Sequence, residues 1–197
     1  MNAKTLLAGA ALAVAATAPA FAADGNALKP VIGVTLTGGG KTLVEVEFDE
    51  GGTREISSGG LTHLFAGVEY RAPGAPWSIQ ATVGYHFDRV DADNGSLSFS
   101  RVPLEVLGFW HANDNIRLGG GLRKATGTQF ETSGAGNDIA PEFNMRSSVG
   151  VVLQGEYLFG EHASVFLRYV NEKYKSNYLP GGEVSGEHGG IGFAYRF

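Results

Sequence analysis

Cysteine is absent from this chain, methionine and tryptophan occur twice each, and basic residues are outnumbered, 15 Lys and Arg against 20 Asp and Glu. Each shortage closes a class of function. Without cysteine there is no disulfide framework, no zinc–thiolate centre and no thiol nucleophile. A formal net charge of −5 removes the basic footprint on which nucleic-acid binding depends. Beyond the first 22 residues no stretch approaches the roughly 18 consecutive apolar side chains of a membrane-crossing helix. An apolar segment that meets a membrane here must do so as strands.

Glycine is plentiful, 30 of 197 residues, and aromatics make up 11%. The most patterned segment is the last: Ile191-Gly192-Phe193-Ala194-Tyr195-Arg196-Phe197. Successive strand side chains point to opposite faces, so Ile191, Phe193, Tyr195 and Phe197 share one greasy face, with Gly192, Ala194 and Arg196 opposite. Chain termini are usually polar and frayed. An end this regular suits the closing strand of a barrel, where no ladder edge is left open.

At the other terminus, Lys4 opens a basic start, residues 6–18 form an Ala- and Leu-rich run, and Ala20-Phe21-Ala22 is a small-x-small cleavage site. This is the pattern of a secretory signal peptide over 1–22; the run is too short for a stable spanning helix of about 20 residues. An exported chain without cysteine has to draw its stability from a hydrogen-bond ladder or a core.

From residue 60 onward, strand-like alternation recurs at 61–71, 77–90, 97–111, 116–130, 146–159, 163–175 and 186–197, with turn residues between. The connections 72–76, 112–115 and 160–162 are short. Those at 91–96, 131–145 and 176–185 are mostly longer and rich in Gly, Asn, Asp and Ser. Short and long ends alternate, as periplasmic turns and extracellular loops do in outer-membrane barrels, which puts Phe197 on the periplasmic side. With both termini there the strand number is even, so 41–48 is predicted as the eighth strand and 49–60 as the first outer connection. Residues 31–37 then extend that strand through a kink at Gly38-Gly39-Gly40 or form a periplasmic extension. The expected division is 1–22 signal peptide, 23–40 N-terminal extension or start of the first strand, and 41–197 barrel. A ten-strand count would need 31–37, 42–48 and 53–57 all to span, yet each is shorter than the roughly 9 to 11 residues of a tilted spanning strand.

In the segment 77–88 the residues Trp77, Ile79, Ala81, Val83, Tyr85 and Phe87 share a face, with aromatics toward both ends and aliphatics between. Interfacial girdles require that order, whereas a soluble core has no reason to sort its side chains by height. The pattern Val149, Val151, Leu153, Tyr157, Phe159 repeats the lower girdle, as do Tyr195 and Phe197. By the same phase count, Glu45, Glu47, His63, Glu69, Arg71, Arg101, Glu105, Arg117, Arg123, Glu156, Arg168, His188 and Arg196 fall on the other face. Charges buried there must pair, with Gly84, Gly119 and Gly121 making room. An eight-strand lumen is just wide enough to be filled by side chains, so a plugged interior is expected. Pro103 inside a spanning strand predicts a bulge.

No motif assigns a catalytic, cofactor-binding or metal-binding residue, and no cofactor is called for. His63, His86 and His188 read as hydrogen-bonded lumen or rim residues. Glu183, Glu187 and His188 have cation-ligand chemistry, yet loop acids ordinarily face water. Gly38-Gly39-Gly40-Lys41 lacks the spacing and the following helix of a phosphate loop. A lipid A deacylase of the PagL kind would need a His-x-Ser-Asn stretch in a late strand, where this chain has Arg168-Tyr169-Val170-Asn171-Glu172.

The closing Gly-Phe-Ala-Tyr-Arg-Phe and the alternating architecture from residue 23 on resemble the small outer-membrane barrels grouped with OmpA and OmpX, also described as porin-family proteins. The resemblance implies an all-β, eight-stranded antiparallel up-and-down transmembrane β-barrel. It also implies a bacterial outer-membrane location and a terminal Phe197 strand read by the barrel insertion machinery. The expected role is a non-catalytic scaffold for extracellular loops, serving envelope integrity, adhesion or ligand binding. Its expected partners are outer-membrane lipids and lipopolysaccharide. A cell-wall-binding domain of the OmpA kind is not expected after Phe197. The alternatives left open are a lipid A-modifying barrel enzyme, a narrow channel and a soluble lipocalin-like binder.

Overall fold

Side chains that alternate between two environments, on a chain rich in β-branched and aromatic residues, favour pleated ladders over helices. The structure, a computed structural model, describes residues 27–47, 53–92, 95–134, 143–177 and 180–197. The signal segment 1–22 lies outside the described residues. Thirteen strands are present among those described: β1 (Leu28–Gly39), β2 (Thr42–Glu47), β3 (Thr53–Ser57), β4 (Thr62–Tyr70), β5 (Trp77–Ala92), β6 (Gly95–His111), β7 (Ile116–Gly134), β8 (Phe143–Ser147), β9 (Val149–Phe159), β10 (Ala163–Asn171), β11 (Lys173–Lys175), β12 (Glu183–Ser185) and β13 (His188–Arg196).

Eight of them close on themselves. Antiparallel pairing runs β1–β4–β5–β6–β7–β9–β10–β13 and returns to β1. The seal between β7 and β9 extends from Ile116↔Tyr157 to Lys124↔Val149. β13 is bonded on both sides, to β1 from Val31↔Arg196 to Gly39↔His188 and to β10 from Ala163↔Tyr195 to Val170↔His188. The patterned C-terminus therefore has no free edge. Both ends of the barrel chain meet at the end that carries the short turns, here called the lower end.

The first barrel strand is Leu28–Gly39, not 41–48. Length decides this: twelve residues span, six do not. Thr42–Glu47 instead folds back on Thr53–Ser57 as a separate two-stranded hairpin. The ten-strand count fails with it, and the barrel boundary moves forward from residue 41 to residue 28. The side chains of Glu45 and Glu47 lie outside the described ones. The bulge expected at Pro103 is realised opposite it. The β6–β7 register shifts between Ser100 and Val102, and the extra residue is taken up in β7, where Gly127 has φ 55, a conformation that glycine adopts without strain.

Above the barrel, β5, β6 and β7 run on, and β8, β11 and β12 join them in the order β12-β11-β8-β7-β6-β5. The concave side of this extension holds an apolar core of Val90, Leu97, Phe99, Ala125, Phe130, Met145 and Tyr174, against which Leu43 of β2 packs. Read downward, the inward face of β6 is Leu97, Phe99, Arg101, Pro103, Glu105, Leu107, Phe109. Polarity along one face thus changes with height. The face is apolar at Leu97 and Phe99, charged at Arg101 and Glu105, and apolar again at Leu107 and Phe109.

Candidate functional site

The outer wall settles which face meets lipid. Ile79, Val151 and Phe193 are 47%, 50% and 44% exposed, and Leu167 is 66% exposed, while the arginines on the opposite face are buried. In a soluble sandwich or a lipocalin-like binder these aliphatics would form the centre. They are ringed below by Tyr70, Trp77, Trp110, Tyr157, Phe159 and Tyr195. Trp77 and Trp110 are cross-strand partners, and the Tyr157–Phe159 and Tyr195–Phe197 rings meet at 5.1 Å. Tyr85 and Phe87 stack at 5.5 Å at the upper limit. An exposed apolar band between aromatic belts is the surface of a protein solvated by a bilayer.

Inside, the charges sort into two layers. In the lower one, Arg117 and Arg196 alternate with Glu69 and Glu156. Arg117 donates to Glu69 Oε1 at 2.5 Å and to Glu156 Oε2 at 3.0 Å; Arg196 donates to Glu69 Oε2 at 2.7 Å and to Glu156 Oε2 at 2.8 Å. Ser164 Oγ and Gln154 Nε2 donate the remaining bonds to Glu156, at 3.0 and 2.6 Å. Two cations and two anions bridge reciprocally, which is how such groups stay charged without water. The Arg117 guanidinium also lies 3.9 Å from the Phe109 ring centre.

Aromatics separate the layers. Phe65 and Phe166, with Val31 and Ala194, form one interior cluster, and Phe109 and Leu107, with Val152 and Val170, form another. This corrects the expectation of ions inward and oil outward: the lumen alternates both. Phe65 occupies the space over Gly33, Phe166 that over Gly192 and Phe109 that over Gly119; a Cβ at Gly192 would come within 2.2 Å of the Phe166 ring. Gly84 likewise leaves room for His63, whose Nε2 would sit 2.3 Å from a Cβ there. Gly192→Val should therefore destabilise the barrel by about 1–3 kcal/mol, the usual cost of overpacking, read as a lowered urea midpoint in vesicles.

In the upper layer, Glu105 accepts from Arg123 and Arg168, each at 2.7 Å. Glu172 accepts from Tyr174 Oη at 2.5 Å and from Arg123 Nε at 3.3 Å. His86 Nδ1 accepts from both Arg123, at 2.9 Å, and Arg101, at 3.0 Å. Two guanidiniums on one ring nitrogen place its proton on Nε2, which donates to Thr37 Oγ1 at 2.9 Å; Thr37 Oγ1 then donates to Gly60 O at 3.0 Å. Arg101 also reaches Ser58 O at 2.9 Å and Gly59 O at 2.7 Å. The base of the β2–β3 hairpin is thereby drawn into the upper mouth and stoppers it. His63 and His188 flank His86, with ring centres 5.1 and 5.2 Å away.

Ten of the thirteen charged and histidine side chains assigned to the inner face by phase count are buried there: His63, Glu69, Arg101, Glu105, Arg117, Arg123, Glu156, Arg168, His188 and Arg196. Arg71 is not. It lies beyond the end of β4, exposed, with Nε donating to Ala75 O at 3.0 Å within the turn. Glu172, 1% exposed, was missed. It lies inside the segment 163–175 read as a strand and shares the parity of Arg168, although in the structure β10 ends at Asn171. Ser58 and Gly59 carried no signal, since their role depends on a chain reversal. Glu183, Glu187 and His188 do not converge: Glu183 pairs with Lys173, Glu187 accepts from Tyr169 Oη, and His188 points inward.

No protein-family model matches the sequence, and no curated protein matches it. Solved structures do. Ail, the attachment invasion locus protein of Yersinia pestis, superposes with a TM-score of 0.50 at 11% identity, covering 86% of this chain and 97% of that one. The outer membrane protein OprG from Pseudomonas aeruginosa gives 0.38 at 13% identity over 87% and 96% of the two chains. The translocator domain of the autotransporter NalP from Neisseria meningitidis gives 0.37 at 14% over 99% and 98%. Closed ladder, lipid-facing wall and shared fold define the class: an eight-stranded antiparallel outer-membrane β-barrel.

Proposed function

We propose that this protein is a non-catalytic outer-membrane scaffold. Exported by a cleaved signal peptide and inserted through its Phe197 strand, it has its lower end in the periplasm and presents the apolar-cored extension and stoppering hairpin to the exterior, in contact with lipopolysaccharide. The observation that carries this reading is the filled lumen: two ion-pair layers, an aromatic layer between them, and a hairpin base pinned by Arg101.

Among the described residues the enzyme alternative finds a Ser–His contact to test. Ser78 Oγ lies 3.0 Å from His111 Nε2, but Ser78 is 1% exposed and also takes a 3.4 Å contact from Arg117. Its hydroxyl is closed to the lipid side. The folded protein in planar bilayers is expected to give no steady conductance, and mass spectrometry of lipid A incubated with it should show every acyl chain retained. Acyl release abolished by Ser78→Ala would replace the scaffold with an enzyme; stepwise conductance would replace it with a channel.

A further inference from the structure

On a chain of net charge −5, the outer wall of β7, β8, β9 and β11 gathers a group of positive charges. Arg146 of β8 and Lys175 of β11 are direct cross-strand partners, and both side chains are exposed. Like charges so placed destabilise a sheet. One row lower, Lys124 is paired with Val149, and its Nζ donates to Ser147 O. Lys173, 56% exposed, leaves β11 beside Ser148, whose amide it accepts at 2.8 Å. Among the described residues, Glu183 stands against these four cations, contacted by Lys173 and Lys175 at 2.7 and 3.4 Å. Their hydrogen bonds hold its carboxyl below the usual carboxylate range, so it stays charged and offsets one of the four. Glu187, bonded to Tyr169, marks the margin.

Directly beneath the cations the lipid-facing band begins: Leu122, Val149, Val151, Leu153 and Leu167 are all half or more exposed. Between β9 and β10 the wall is indented by a cleft of about 440 Å³ lined by Val149, Val151, Leu153, Tyr169, Asn171 and Lys173, with Ser148 and the inward-turned Glu172 also bordering it. It opens upward onto Lys173. A mostly apolar indentation with the Lys173 ammonium in its lining and Lys124, Arg146 and Lys175 nearby matches a lipid whose phosphate sits at the membrane surface and whose acyl chain hangs below.

We infer that Lys124, Arg146, Lys173 and Lys175, with the cleft beneath them, form a binding site for a phosphorylated glycolipid of the outer leaflet. Its phosphate relieves the Arg146–Lys175 repulsion, and one acyl chain fills the cleft. The inference rests on the proposed reading that the upper end faces the exterior, since only there do these residues meet the outer leaflet's headgroups. Net surplus charge supplies the attraction, and the cleft supplies preference for a lipid over a soluble anion.

The folded full-length barrel in nonionic detergent tests this, with native mass spectrometry counting the lipids retained. The probes are bis-phosphorylated lipid A, the same lipid dephosphorylated, and phosphatidylglycerol. Bis-phosphorylated lipid A should be retained over both others, and the double change Arg146→Gln with Lys175→Gln should weaken retention by about tenfold or more, as expected for two near-surface cations. Lys124→Gln with Lys173→Gln should do the same independently, while Lys29→Gln at the lower end should change nothing. Equal retention of phosphatidylglycerol, or indifference to both double changes, overturns the site. Heat-modifiable gel migration separates the two levels: a folded, shifting wild type that does not discriminate lipid A loses only the site, whereas a wild type that never shifts loses the barrel reading too.

Discussion

Replacing Glu156 by Leu is expected to destabilise the folded barrel by about 3–5 kcal/mol, the cost of stranding a buried charge. Glu156 takes bonds from Arg117, Arg196, Ser164 and Gln154 in the lower layer. Its removal leaves two fully enclosed guanidiniums sharing Glu69 alone. Urea unfolding in vesicles should show a lower midpoint with an unchanged slope, because the surface exposed on unfolding is the same. Exchanging all four charged residues of the layer for Leu and Met should by contrast come out near neutral, since the pairs repay little more than their own desolvation. A midpoint shift below that of an ordinary surface change would show that the layer does not hold the wall together.

Val83→Arg carries the other large expected effect, a loss of about 2–4 kcal/mol for a cation at the bilayer midplane. Val83 pairs with Ala66 and Leu104 and stands between Trp77 below and Tyr85 and Phe87 above, far from headgroups to which an arginine side chain reaches easily. The same residue introduced at Gln129, which is exposed and above the hydrocarbon band, should stay within about 0.5 kcal/mol of the parent. Equal effects at the two positions would mean that Val83 does not face lipid.

Strand positions, side-chain parity and the lipid-facing stripe were legible in the chain, because a strand's two faces are set by a period of two and the bilayer demands apolar side chains at every outward position. The seven segments read from residue 60 onward reappear as β4 to β11 and β13, with breaks where Ser148 and Glu172 interrupt the ladders, while β12 lies in the stretch 176–185 read as a connection. The first strand was not legible. Residues 28–39 and 42–47 both alternate, and choosing between them needs to know that β1 finds β13 and β4 as neighbours while β2 finds only β3.

Three-dimensional packing alone determined the rest. Phe65, Phe109 and Phe166 point into the lumen because facing glycines on neighbouring strands leave hollows for their rings, a complementarity set by which strands pair and in which register. Arg101 holds Ser58 and Gly59, and Arg146 opposes Lys175, through reversals and registers that no local pattern encodes. Alternation depends on a residue and its immediate neighbours, so the sequence by itself determined the wall and its orientation. What fills the lumen, what closes its mouth and where cations gather on its rim depend on which distant strands meet, and only the closed barrel decides that.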